Sequence, residues 1–208
     1  MKPPQAVTLQ AIALASATTA ATWAAAACAS EPAFDCTRAQ GQVQELVCTD
    51  AALASLDRRL AEVYQTVRRT LPDADLPQLK SEQRGWIKGR DDCWKSDNVA
   101  DCVTLAYQGR TVELQILTGQ LAAPNTINLE CGDRDQLPVA AAFYNDTTPP
   151  AVVLTRGGDQ VTAFIARSGS GARYTAAGVE YWEHQGQASI DWFGTALQCT
   201  VSKDAETL

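Results

Sequence analysis

Between residues 34 and 121 the apolar positions recur with a helical period. Leu53, Leu56, Leu60, Val63 and Val67 stand three or four residues apart and therefore share one face of a helix. Asp50 precedes them where an N-cap is wanted. The stretch from Leu71 to Pro77 holds two prolines and two aspartates, which break that helix. A second helix is predicted from about 76 to 94, with Leu79, Trp86 and Ile87 as its apolar contacts. A third is predicted from about 99 to 117, turning Val99, Val103, Ala106, Tyr107, Leu114 and Leu117 inward. Three amphipathic helices of this size can close on one another, but the core they enclose is small.

Beyond residue 121 the period changes. Residues 122–126 read as a linker, and short runs rich in β-branched and aromatic residues follow at 127–131, 137–144, 151–155, 161–165, 173–175, 179–184, 188–192 and 197–201. Turn residues separate them at 145–150, 157–159, 168–171 and 194. About eight strands in roughly eighty residues suggest an antiparallel meander, which hides its edges best by closing into a barrel. The fold class expected is α+β in two domains: a small helical domain over 30–121, then an eight-stranded antiparallel β-barrel over 127–208.

The first 29 residues belong to neither half. Lys2 is the only charge before Glu31, and residues 6–29 are almost entirely small or apolar without amphipathic period, as in an export signal. Cleavage after Ala29 and cleavage before Cys28, whose thiol would then carry lipid, are competing readings. The second places Ala25 where such sites usually have Leu. A retained membrane span is a poor reading, because the stretch is weakly hydrophobic. The location expected is therefore the periplasm or the outer membrane, with a lipid on Cys28 as the only membrane contact.

Seven cysteines change the energetic picture. With Cys28 removed or lipidated, six remain in an oxidising compartment, and six cysteines allow 15 pairings. Cys36 and Cys48 flank the approach to the first helix, and Cys93 and Cys102 flank the second turn. Local pairing within each couple is the simplest assignment, while a crossed pairing tying the first helix to the hairpin stays open. Bridges over such short loops contribute about 2–3 kcal/mol each. Cys131 in the first strand and Cys199 in the last become neighbours if the barrel closes, and a bridge there contributes roughly 4 kcal/mol on the loop-entropy model.

Charge and composition narrow the function classes. A net charge of −7 argues against nucleic acid, which requires clustered Lys and Arg, and favours a basic partner. No CxxC pair occurs and His184 is the only histidine, so neither a metal nor another cofactor is expected. Any imidazole-based catalysis must use His184, and the nearby Ser168 and Ser170 lack the strand–turn–helix setting of a nucleophile elbow. Glu183 and Asp191 are the candidate carboxylate pair for glycoside hydrolysis, but solvated strand residues are the simpler reading, as solvated helix faces are for Arg58–Arg59 and Arg68–Arg69. No enzyme is expected. The loop from Arg167 to Gly171 differs in kind: Gly169 and Gly171 admit backbone geometries closed to other residues, and Ser170 sets a small hydroxyl between them. An ordinary hairpin turn is the competing reading.

Two resemblances shift that balance. The string SGSGARY at 168–174 matches the Ser-Gly-x-x-Tyr motif of the MliC and PliC inhibitors of chicken-type lysozyme through Ser170, Gly171 and Tyr174. The following GVEYWEHQGQASI at 178–190 resembles the aromatic strand and polar tip of that family, with Trp182 and Ala188 aligned and His184 where its lysine is expected. In the first half, PAFDCTRA at 32–39, ELVCTD at 45–50, LASLDRRLAEVY at 53–64 and EQRGWIKGRDDCW at 82–94 resemble the LprI lysozyme-inhibitor lipoproteins. The resemblance implies an eight-stranded barrel that plugs the cleft of c-type lysozyme with its Ser-Gly loop and so protects peptidoglycan. It also implies a contact set of Ser170, Gly171, Arg173, Tyr174, Trp182 and His184. Lysozyme cleaves between two carboxylates, so a hydroxyl-bearing loop and a nearby cation suit its groove. The second domain adds ten acidic against five basic residues, which attract a basic lysozyme. Lysine carries a fixed charge and histidine one that appears near pH 6.5, so affinity is expected to rise as pH falls from about 8 to 6. The alternative is an envelope module that binds another protein or a peptidoglycan-derived ligand.

Overall fold

The computed structural model describes residues 31–122, 124–132 and 137–201. The export signal and Cys28 lie outside the described residues. Four α-helices come first: α1 (Gly41–Thr49), α2 (Ala51–Thr70), α3 (Leu76–Asp91) and α4 (Val99–Leu117). Helix α1 is one more than the hydrophobic pattern indicates. It is only nine residues long and buries just Val43 and Val47, too few positions to establish a period. Asp50 separates it from α2 and caps the latter, its side chain accepting from Ala52 N at 2.8 Å and Leu53 N at 3.1 Å.

Leu53, Leu60, Val63 and Val67 of α2 are buried against Val103, Tyr107 and Leu114 of α4 and Leu79 of α3. Two residues placed inward by period alone lie outward: Ile87 is 37% and Leu117 53% exposed. Leu117 ends α4, past the reach of the other helices, and Ile87 flanks an open cleft. What stands in the core instead is polar. The Tyr107 hydroxyl donates to Asp57 at 2.8 Å and accepts from Arg90 at 2.7 Å. Arg90 also bonds Asp91, which accepts from Gln44 at 3.0 Å. This chain crosses all four helices, and each member has a partner, which is the condition for burying such groups without a large penalty. Cys36–Cys48 and Cys93–Cys102 pair locally and fasten the two ends of this small core.

The second half is a closed barrel in sequential order: β1 (Thr126–Cys131), β2 (Val139–Tyr144), β3 (Ala151–Arg156), β4 (Asp159–Ala166), β5 (Ala172–Ala176), β6 (Val179–His184), β7 (Gln187–Trp192) and β8 (Thr195–Val201). All neighbours are antiparallel, and β8 returns to β1 with Cys199 directly opposite Cys131, where a disulfide joins them. Alternate residues fill the interior, among them Ala141, Leu154, Ala163, Tyr174, Tyr181, Ile190 and Leu197. Phe143, Tyr174 and Tyr181 meet edge to face there, with ring centroids 5.6 to 6.2 Å apart.

The halves touch where α4 crosses the outside of β4. A Cβ on Gly109 would lie 3.4 Å from the Phe164 ring, so the ring rests on bare helix backbone. Ala151, opposite Phe164 in the register, is fully buried.

Candidate functional site

The β4–β5 loop, residues 167–171, and the tip between β6 and β7 emerge from one end of the barrel. The strand register decides what each side chain can do. Tyr174 faces Tyr181 and Arg173 faces Trp182 across β5 and β6, and side chains alternate between the faces. Tyr174 and Tyr181 therefore point inward, while Arg173, Trp182 and His184 lie outside.

The loop is held by its neighbours. The Trp182 indole donates to the Ser170 carbonyl at 2.9 Å, and the Ser168 hydroxyl donates to the same carbonyl at 2.5 Å. Ser170 N returns a bond to the Ser168 hydroxyl at 3.3 Å. The Ser170 hydroxyl itself is exposed and makes no hydrogen bond among the described residues. Gly171 has φ +68° and passes so close to β6 that a Cβ would stand 2.0 Å from the Glu183 carbonyl oxygen. Only glycine fits there. Gly169, in contrast, has open space around it and needs no special backbone, so just one of the two loop glycines is required by geometry.

His184 sits beside this point: its Cβ is 3.2 Å from where a Gly171 methyl would be. Its ring stacks on Trp182 with centroids 6.1 Å apart and planes inclined by 18°. Beyond it, Gln185 (φ 52°) and Gly186 (φ 77°) form a tight two-residue turn of the type that matches strand twist. Ser170, Gly171, Trp182 and His184 thus form one contiguous edge.

Arg173 and Tyr174 differ from these four: Arg173 lies beside Trp182 on the outer face but is engaged, and Tyr174 points inward. Arg173 pairs with Glu180 at 2.5 Å, and this carboxylate holds the guanidinium more firmly charged. Its charge is already matched within the barrel, beside a hollow of about 270 Å³ that Arg167, Ser168 and Trp182 also line. Sequence reading missed Glu180; the hairpin turn at Gly178 puts it diagonally across from Arg173. Tyr174 is 4% exposed, and burial followed by the Glu183 charge raises its phenol above the ordinary value. It packs inside the barrel against Phe143 and Tyr181 and offers a partner almost no surface.

The structure does not assemble the candidate carboxylate pair. Glu183 turns inward at the barrel mouth and accepts from the Tyr181 hydroxyl at 3.0 Å. Asp191 lies on the outer face and accepts from Gly194 N at 2.7 Å in the next turn. With a sheet between them they cannot act on one bond.

Comparison with known proteins divides the chain as the fold does. Residues 36–117 match the family model described as lysozyme inhibitor LprI, and residues 130–198 match the one described as MliC, membrane-bound lysozyme-inhibitor of c-type lysozyme. Lipoprotein LprI of Mycobacterium bovis is 41% identical over 169 residues, covering 81% of this chain and 84% of its own. Lipoprotein LprI from two strains of Mycobacterium tuberculosis gives the same figures. No solved structure matches. Identity at this level across both the helices and the barrel shows that the chain belongs to the LprI family.

Proposed function

We propose that the protein is exported to the cell envelope and inhibits c-type lysozyme by inserting the 167–171 loop into the catalytic cleft. The observation that carries this reading is the Ser170 hydroxyl, exposed and uncommitted on a loop whose backbone is fixed from two sides. A preset loop loses little entropy on docking, and its hydroxyl can donate to either cleft carboxylate. Trp182 and His184 flank the point of entry and complete the contact. An unchanged dissociation constant in His184→Gln removes that residue from the contact set. The contact requires no bond making or breaking, so the protein acts by occlusion, without catalysis or cofactor.

On this reading residues 1–29 are the export signal, 30–121 the LprI-like domain, 122–126 a linker and 127–208 the inhibitory barrel. Among the described residues no helix is long and apolar enough to cross a membrane. The relatives are named lipoproteins, and the MliC family is described as membrane-bound. This supports the lipoprotein form of that signal, one that ends before Cys28 and leaves a lipid on its thiol.

The test is a Ser170→Trp variant. An indole on the loop cannot enter the groove, while the residue is exposed and leaves the barrel intact. Inhibition falls by about two orders of magnitude or more if the loop is the plug, the loss expected of a central contact. Undiminished inhibition with native near-ultraviolet dichroism places the active surface elsewhere.

A further inference from the structure

The helical half holds a second concave surface that the lysozyme reading leaves unused. An open cleft of about 510 Å³ lies between α2, α3 and the segment ahead of α1. That segment is clamped at three points. Ala33 N donates to Asp57 at 2.7 Å, Arg58 donates to the Glu31 carbonyl, and Cys36 is bridged to Cys48. The cleft is therefore formed in advance of any ligand.

Its lining is specific in three respects. Phe34, Tyr64 and Trp86 give it half-buried aromatic walls. Its floor is charged but internally matched, because Asp57 and Arg90 are joined through the Tyr107 hydroxyl and Arg90 also pairs with Asp91 at 2.6 Å. At the rim, the Arg38 guanidinium, the Tyr64 hydroxyl and the Gln83 Nε2 donate to no partner among the described residues. The Gln83 Oε1 is occupied by Arg110 at 3.1 Å, which fixes the direction in which its amide donates.

These features weigh against two ligand classes. Asp35 and Asp57 balance Arg38 and Arg90, so a strongly charged ligand gains little net attraction. A wholly apolar ligand would cover the rim donors and leave them unsatisfied. A neutral pyranose suits both requirements. Its C–H face lies on an aromatic ring, and its ring hydroxyls and an acetamido carbonyl accept from planar donors. An acetamido methyl finds Leu60 and Ala61 on the same wall.

We propose that this cleft binds a short, neutral, N-acetylated hexosamine oligomer. Glycan binding by the helical half would hold the protein on a polymer of such sugars and raise its effective concentration there. The proposal does not rest on the lysozyme reading, because the two surfaces share no residue.

The experiment titrates tri-N-acetylchitotriose into the purified protein by calorimetry, with no lysozyme present. An Arg38→Ala/Gln83→Ala double variant and the Ser170→Trp variant are run in parallel. The expected result is saturable binding at one site per chain, weakened about ten-fold or more in the double variant and unchanged in Ser170→Trp. As a second readout on the unaltered protein, the Trp86 indole N–H resonance, assigned with Trp86→Phe, shifts during the titration. Absence of saturable binding at millimolar sugar overturns the proposal. So does binding that the double variant retains, or a shift confined to other indoles.

Discussion

A methyl group added at Gly171 would stand 2.0 Å from a backbone oxygen that is itself part of the β5–β6 ladder. Neither partner can give way cheaply, and φ +68° adds strain for any other residue. Gly171→Ala is expected to cost about 1–3 kcal/mol in urea denaturation and to weaken inhibition at the same time. Wild-type stability would mean that the loop is not pinned as described. The buried phenols make a different kind of prediction. Burial first, then the Glu183 charge and hydrogen bond, pushes the Tyr181 hydroxyl far above its ordinary value. Burial also dominates at Tyr107, where Arg90 works against it and Asp57 with it. A folded-state value raised above the unfolded one gives stability that is complete below pH about 10 and is lost as pH rises beyond it. Urea midpoints measured from neutral to strongly alkaline pH should therefore fall above pH about 10. Tyr181→Phe should flatten part of that fall, and identical profiles would contradict the assignment.

Closure of the barrel depends on the pairing of β1 with β8, and the Cys131–Cys199 bridge spans 68 positions of sequence at that seam. Its contribution is about 4 kcal/mol if restriction of the unfolded chain is the main effect. A Cys131→Ser/Cys199→Ser double variant should lose about that much in denaturant, and an unaltered midpoint would show that the seam holds through its ladder alone. The same scale shows what was legible in the chain. All eight strands and three of the four helices follow from period and turn residues, because each buries enough positions to display its repeat. Helix α1 does not, since Val43 and Val47 are only two points on a wave. Period places side chains relative to their own element, but says nothing of the neighbour's extent, which is why Ile87 and Leu117 lie outward. For the candidate site, the motif named Ser170, Gly171, Arg173, Tyr174, Trp182 and His184 without their arrangement, and it is the structure that sets Ser170, Gly171, Trp182 and His184 side by side. A motif does not state which face a residue takes. Only the β5–β6 register reveals that Tyr174 packs inside the barrel and that Arg173 is already engaged by Glu180.

At the scale of the molecule, two stapled units meet where Phe164 rests on Gly109. The family models that match both halves describe lysozyme inhibitors, and a net charge of −7 suits the basic partner proposed above. The most direct test is to titrate the purified protein into a c-type lysozyme acting on bacterial cell walls. Activity should fall linearly to near zero at one inhibitor per enzyme. Lysozyme that keeps full activity under micromolar excess of the protein would contradict the account.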